Sequence, residues 1–164
     1  MAYKAESEMK EELWDQVSKS PFVMLELDNV PHSAIPMTAQ LDKAADVDHS
    51  ARHSIWFFSS RDNALARMGP ATATFAAKDH KLFARLSGSL CEEQRREIFD
   101  ALWSNPVAAW FPEGKDSPTV LLMRMDLREA SIWSAKMGAF TLTKMLLGIS
   151  VVEDMKGHHA RTAV

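Results

Sequence analysis

A chain of 164 residues with 46% hydrophobic and 25% charged side chains has the length and composition of a single globular domain, residues 1–164, and excludes disordered and fibrous classes. Its formal net charge of −3 gives a phosphate backbone nothing to grip, so nucleic acid is not an expected partner. The lone cysteine, Cys91, excludes an internal disulfide; no apolar run nears the roughly 20 residues that span a bilayer; the opening MAYKAESEMKEELWDQ lacks the apolar core of a secretory signal, so a cytoplasmic, membrane-free protein is expected.

From Glu6 to Lys19, Met9, Leu13, Trp14 and Val17 recur at helical spacing before Pro21, which predicts an amphipathic N-terminal helix. FVMLELD (Phe22 to Asp28) and SAIPMTAQLD (Ser33 to Asp42) are β-prone runs joined by Asn29 and Pro31, and read as a hairpin. The polar segment Lys43 to Arg52 reads as an exposed, extended loop. HSIWFFSS predicts a third strand and DNALARM a short helix that Asp62 or Asn63 could cap, ended by Gly69 and Pro70. Ala71 to Asp79 and Lys81 to Glu92 predict a second hairpin, with Gly88 marking a bulge or a close approach. Glu92 to Asn105 predicts a surface helix with Ile98, Phe99, Leu102 and Trp103 on one side and two acids at its positive end. Thr119 to Ala135 reads as two further strands around a turn, Phe140 to Ile149 as a last helix, and residues 150–164 as a frayed tail. Short antiparallel strands with helices inserted irregularly favour a mainly β fold, a barrel with peripheral helices, over a parallel doubly wound sheet.

The junction at Ser59, Ser60 and Arg61 carries the most chemistry. Hydroxyls, a guanidinium and free amides just before a helix suit a phosphate. The plainer reading is a capped turn with Arg61 in solvent. Trp56 and Phe58 share one strand face, opposite Phe57; such aromatics serve a core as readily as a flat ligand. His49 and His53 are four apart with Asp46 and Asp48 nearby, but the segment reads as a loop without a third ligand, so no metal site is expected. Cys91 has no adjacent histidine and reads as an inert thiol rather than a nucleophile.

Four stretches, IPMTAQ, WFFSSRDNALARM, LSGSL and LWSNPVAAWFPEG leading into PTVLLMRMDLREASIWSA, stand in an order and spacing that resembles the pyridoxamine 5′-phosphate oxidase-like family of FMN-binding split barrels. The likeness runs from Pro21 to about Lys136 and is greatest to its general stress protein branch. It implies a six-stranded antiparallel split β-barrel with peripheral helices, forming a homodimer that holds FMN in two clefts between the subunits. By the same resemblance, Ile35, Pro36, Met37 and Thr38 match the strand along the flavin ring. Trp56, Phe58, Ser59, Ser60 and Arg61 match the strand and turn facing ring and phosphate, and Trp110 and Trp133 match aromatics lining the cleft. Two cationic positions differ: many relatives have arginine where Ile35 stands, and a lysine near the place of Ala64 and Leu65. The resemblance therefore implies either an FMN-binding homodimeric flavoprotein, redox or general stress-related and an oxidoreductase if active, or a split-barrel dimer that has lost flavin and serves as a non-catalytic binding or structural module.

Overall fold

In the computed structural model, residues 6–41, 54–134, 139–150, 152 and 159–164 are described; the loop expected at Lys43 to Arg52, with His49, lies outside them, as does His53. Helical spacing yields α1 (Glu6–Lys19), whose Met9, Leu13, Trp14 and Val17 are all buried, with acids in the first turn and Lys19 in the last, favourable at each end of the helix dipole. Period-two runs yield β1 (Phe22–Leu27), β2 (Ile35–Thr38), β3 (Ser54–Ser60), β4 (Gly69–Ala76) and β5 (Leu82–Glu92). The two predicted hairpins, β1 with β2 and β4 with β5, are both present.

The strands form one antiparallel sheet in the order β2-β1-β4-β5, then β6 (Val120–Ser134), then β3. The sheet curls until its two edges meet. Among the described residues that meeting is a single bridge, where Gln40 N–H donates to the Trp56 carbonyl at 2.7 Å and Trp56 N–H to that of Gln40 at 3.0 Å. Beyond it β2 and β3 diverge, which makes the barrel a split one. Inward alternation then builds the core: Val23, Leu25 and Leu27 of β1, Ala71, Ala73 and Phe75 of β4, Leu82, Leu86 and Leu90 of β5, and Ile55 and Phe57 of β3, closed by the apolar side of α1.

Three expectations change. Thr119 to Ala135 is one 15-residue strand, β6, rather than two around a turn. Its polar residues Arg124 and Asp126 alternate outward between buried Met123, Met125 and Leu127, and a register shift at Ser87/Gly88 restarts the alternation for Ala130 and Ile132. The tail is not frayed throughout, because His159–Ala163 forms a seventh strand, β7, along the second half of β6. Thr162, buried, donates to the Glu6 carboxylate of α1, and Arg161 pairs with Glu129, so the tail has partners to fold against. The helix expected from Glu92 starts later, as α2 (Arg96–Leu102), because Glu92 completes β5 and Glu93 turns inward; Ser104 then caps a separate α3 (Asn105–Ala108) with Pro106 in its first turn. A last helix, α4 (Ala139–Leu146), follows β6. No helix among the described residues is long and apolar enough to cross a membrane.

Gly88 is required by a close approach: a Cβ there would run into the backbone carbonyl of Asp126 on β6. Gly88→Ala should therefore destabilise the fold by about 1–3 kcal/mol, or more if β6 cannot shift. Urea unfolding checks this, and a midpoint equal to that of the wild type would show that the strands have room to separate.

Candidate functional site

Alternation along β3 decides what each candidate side chain can touch. Ile55, Phe57 and Ser59 point to the barrel interior, and Ser59 is buried there; Trp56, Phe58 and Ser60 point outward. Alternation on β2 likewise packs Ile35 and Met37 against the core and turns Pro36 and Thr38 out, opposite Met24 and Phe22 of β1. Counting outward from the Gln40–Trp56 bridge sets Thr38 level with Phe58 and Pro36 level with Ser60, on either side of the split. Pro36, Thr38 and Ser60 thus border the split on its outer face, while Ile35, Met37 and Ser59 are withdrawn from it.

The two outward aromatics of β3 serve a second, smaller core beneath α2. Phe58 meets Phe99 and Trp103 edge-on, with ring centroids at 5.2 and 5.4 Å, and Phe99 stacks on Trp103 at 5.6 Å. Trp56 is 7% exposed, and its indole N–H donates to Glu93 Oε2 at 3.0 Å. The plainer reading of both residues, as core, holds for most of their surface.

Glu93 is the residue that pattern reading misses. Its side chain is 1% exposed. Besides the Trp56 indole, its carboxylate accepts from the Arg95 guanidinium at 2.9 and 2.8 Å and backbone N–H at 3.1 Å, and from Arg124 Nη1 at 3.5 Å. Arg124 in turn forks onto Asp126 at 2.8 and 3.1 Å, and Ser54 donates to Asp126 at 2.9 Å. Hydrogen bonds from Arg95 first, and the indole after them, hold the Glu93 carboxyl far below the usual carboxylate range against its burial. No local sequence signal marks it, since its partners arrive from β3, β6 and the start of α2. Cys91 lies beside this network, and burial pushes its thiol up, as suits an inert side chain.

Arg61, past the end of β3, sits over the same end of the barrel. Its guanidinium donates to both oxygens of Glu92, at 3.2 and 2.5 Å, and its Nε–H to the Pro118 carbonyl at 3.0 Å. Both partners are well hydrated, at 50% and 33% exposed, so the pair contributes at most about 1 kcal/mol and an incoming anion can displace the carboxylate. The helix after it is a single 3₁₀ turn, Ala64–Arg67, capped by Asn63 Oδ1 accepting from Leu65 N–H at 2.9 Å; Asp62 makes no such bond. Leu65 is buried.

A shallow groove of about 470 Å³ crosses the outer face of β2, β1, β4, β5 and β6, walled by Phe22, Met24, Pro36, Phe83 and Trp133. Trp133 stacks on His159 of β7 at 4.9 Å. Trp110, beyond α3, is 82% exposed. The groove brings Pro36 and Trp133 together, with Arg61 at the opposite end of β6. No group of three or more histidine, cysteine or acidic side chains is placed to hold a metal among the described residues.

The family described as pyridoxamine 5′-phosphate oxidase like matches residues 8–155. The general stress FMN/FAD binding protein from the phytopathogen Xanthomonas citri is 38% identical, with a TM-score of 0.69 over 80% of this chain and 92% of that one. A protein from Xanthomonas campestris pv. campestris, assigned to a general stress family, is also 38% identical, with a TM-score of 0.71 over 84% and 93%. One from Jannaschia sp. CCS1, at 23% identity and a TM-score of 0.71 over 95% and 97%, shares the fold. No curated protein matched the chain.

Because the Glu93 carboxyl titrates far below its ordinary value of 4.5 when folded, its contribution is complete above that value and fades as pH falls below it. Glu93→Gln should cost about 1–3 kcal/mol at neutral pH and flatten the acid limb of stability. Thermal melts from pH 7 to 3 check this. A variant whose acid limb matches the wild type would remove Glu93 as its source.

Proposed function

The chain belongs to the pyridoxamine 5′-phosphate oxidase-like family, matched over residues 8–155, and from that premise we propose that it is a cytoplasmic, FMN-binding homodimeric flavoprotein, one domain per subunit, with the flavin held between subunits. The observation that carries this reading is the outer face of the split, where apolar Pro36 stands level with the hydroxyl of Ser60 and the next residue, Arg61, holds a half-exposed guanidinium on the Glu92 carboxylate. An apolar wall beside a cation suits a molecule that is a flat ring at one end and an anion at the other. The 38% identity to a protein described as FMN/FAD binding supports the same cofactor.

In this reading Pro36 and Thr38 lie along the ring, Ser60 and Arg61 take the phosphate, and Trp110 and Trp133 close the cleft. Ile35, Met37, Trp56, Phe58 and Ser59 shape it from behind: the first two and Ser59 from the barrel core, the two aromatics from the cluster under α2. Bound FMN would supply hydride or single-electron transfer, with the protein providing position and charge. Trp110, Leu146 and Phe22, 82%, 88% and 64% exposed, offer apolar surface of the kind that a second copy covers.

The alternative, a flavin-free dimer acting as a binding or structural module, also has a specific observation behind it. Ile35 faces the core and Leu65 is buried, at or near the two positions where the resemblance implies cations, and Glu92 already occupies Arg61. A visible spectrum of the purified protein and an FMN titration separate the two readings. Yellow protein or saturable quenching of flavin fluorescence supports the first, and a colourless protein indifferent to FMN supports the second. Arg61→Ala should weaken FMN about 10- to 100-fold and leave riboflavin unchanged, while Glu92→Gln, which frees the guanidinium, should tighten FMN alone. Equal effects on both flavins would place the phosphate elsewhere. Sedimentation should give a dimer.

A further inference from the structure

Helix α4 (Ala139–Leu146) is amphipathic the wrong way round. Thr141 is buried and Lys144 half-buried, whereas Leu142, Met145 and Leu146, which share a face at i, i+3 and i+4, are 46%, 49% and 88% exposed. The end of the helix is well formed: Gly148, at φ +68°, donates to the Met145 carbonyl at 3.1 Å and Ile149 N–H to that of Lys144 at 2.8 Å, the two bonds of a Schellman cap. Such a cap ordinarily packs its last residue on an apolar side chain of the final turn. Here Thr143 and Lys144 hold those places, and Ile149 stays exposed together with Leu147 and Val152. A short helix is marginal until its apolar side is buried, so a stripe turned outward on an ordered helix calls for a cover.

We propose that the outward stripe of α4 packs on a second copy of this chain and seals the homodimer beside the mouth of the flavin cleft. β6 ends at Ser134 and α4 starts at Ala139, so five steps of chain keep the helix start within about 18 Å of the strand end, where Trp133 walls the groove. The stripe therefore adjoins the cleft that the flavin reading sets between subunits, and a copy seated on it reaches that cleft. Its six exposed apolar side chains offer on the order of 400 Å², about half of what each partner gives a stable interface; Phe22 and Met24 on the groove extend it. Met145 to Val152 carries no charge, so two copies can meet across a two-fold axis with no like charges opposed. A lipid surface fits worse, because helices that lie in it have a polar face rich in Lys and Arg, and α4 has Lys144 alone. The proposal rests on the homodimer part of the flavin reading and names the element that holds the copies together.

Sedimentation equilibrium of the full chain, as wild type, Leu146→Ala and the double variant Leu142→Glu/Leu146→Glu, tests the seal. The wild type should be a dimer. Leu146→Ala truncates a side chain that stands in solvent, so it leaves the subunit core intact, and it should raise the dimer dissociation constant about 10-fold. The double variant brings like charges into an apolar contact and should raise it about 100-fold or more. Dissociation constants equal to that of the wild type in both variants would overturn the seal, as would a monomeric wild type. FMN titration of the same proteins separates this proposal from the preceding one. If the double variant remains a dimer and binds FMN as the wild type does, the seal falls and the flavin reading stands. If both variants loosen a wild-type dimer that ignores FMN, the seal stands and the flavin reading falls. If the double variant loses dimer and FMN together, both stand.

Discussion

The two hydrogen bonds exchanged by Gln40 and Trp56 set the form of everything around them. A six-strand path curled on itself could zip shut along its whole seam, and then no cleft would exist, or fail to meet, and then both edges would lie open. Among the described residues the seam is held at one point, and it opens from there along β2 and β3. Trp56 is fixed from behind as well as along its backbone, because its indole donates to a buried carboxylate that two arginines clamp. The position of the split thus rests on a polar network on the outer surface of the barrel, while the barrel's interior is almost wholly apolar.

That division explains why the outer face can carry function. An interior built from alternating leucine, alanine and phenylalanine on five strands leaves the outward positions of those strands free of structural duty over much of the sheet. Where β3, β5 and the first half of β6 face out, the chain uses them for the Glu93 network and the aromatic cluster under α2. Where β1, β2, β4, the first half of β5 and the second half of β6 face out, it leaves an apolar groove. The register shift in β6 lies between these two regions and separates a structural half of the outer surface from an available one.

The candidate site was legible in part. The run SIWFFSS announces a strand, and its alternation already places Trp56 and Phe58 together; the resemblance adds Pro36, Thr38 and Trp133, all of which the structure leaves outward. It also adds Ile35, Met37 and Ser59, which alternation turns to the core, because a motif quoted as consecutive residues takes both faces of a strand. Glu93 was illegible because the Arg95 beside it shows only a local pair, while the indole of Trp56 and the guanidinium of Arg124 reach it from strands distant in sequence.

The sequence by itself determined the elements, since period and turn residues are local: α1, the two hairpins and the close approach at Gly88 follow from spacings within a dozen residues. It also determined the family, through motifs whose order survives without knowledge of their contacts. The tertiary structure alone decided that Asp126 and Arg128 continue a strand rather than make a turn, and that the tail supplies a seventh strand. It alone decided which charges are matched. Pairing across a sheet joins residues separated by many tens of positions, and an ion pair is fixed by distance in space, on which one-dimensional spacing is silent.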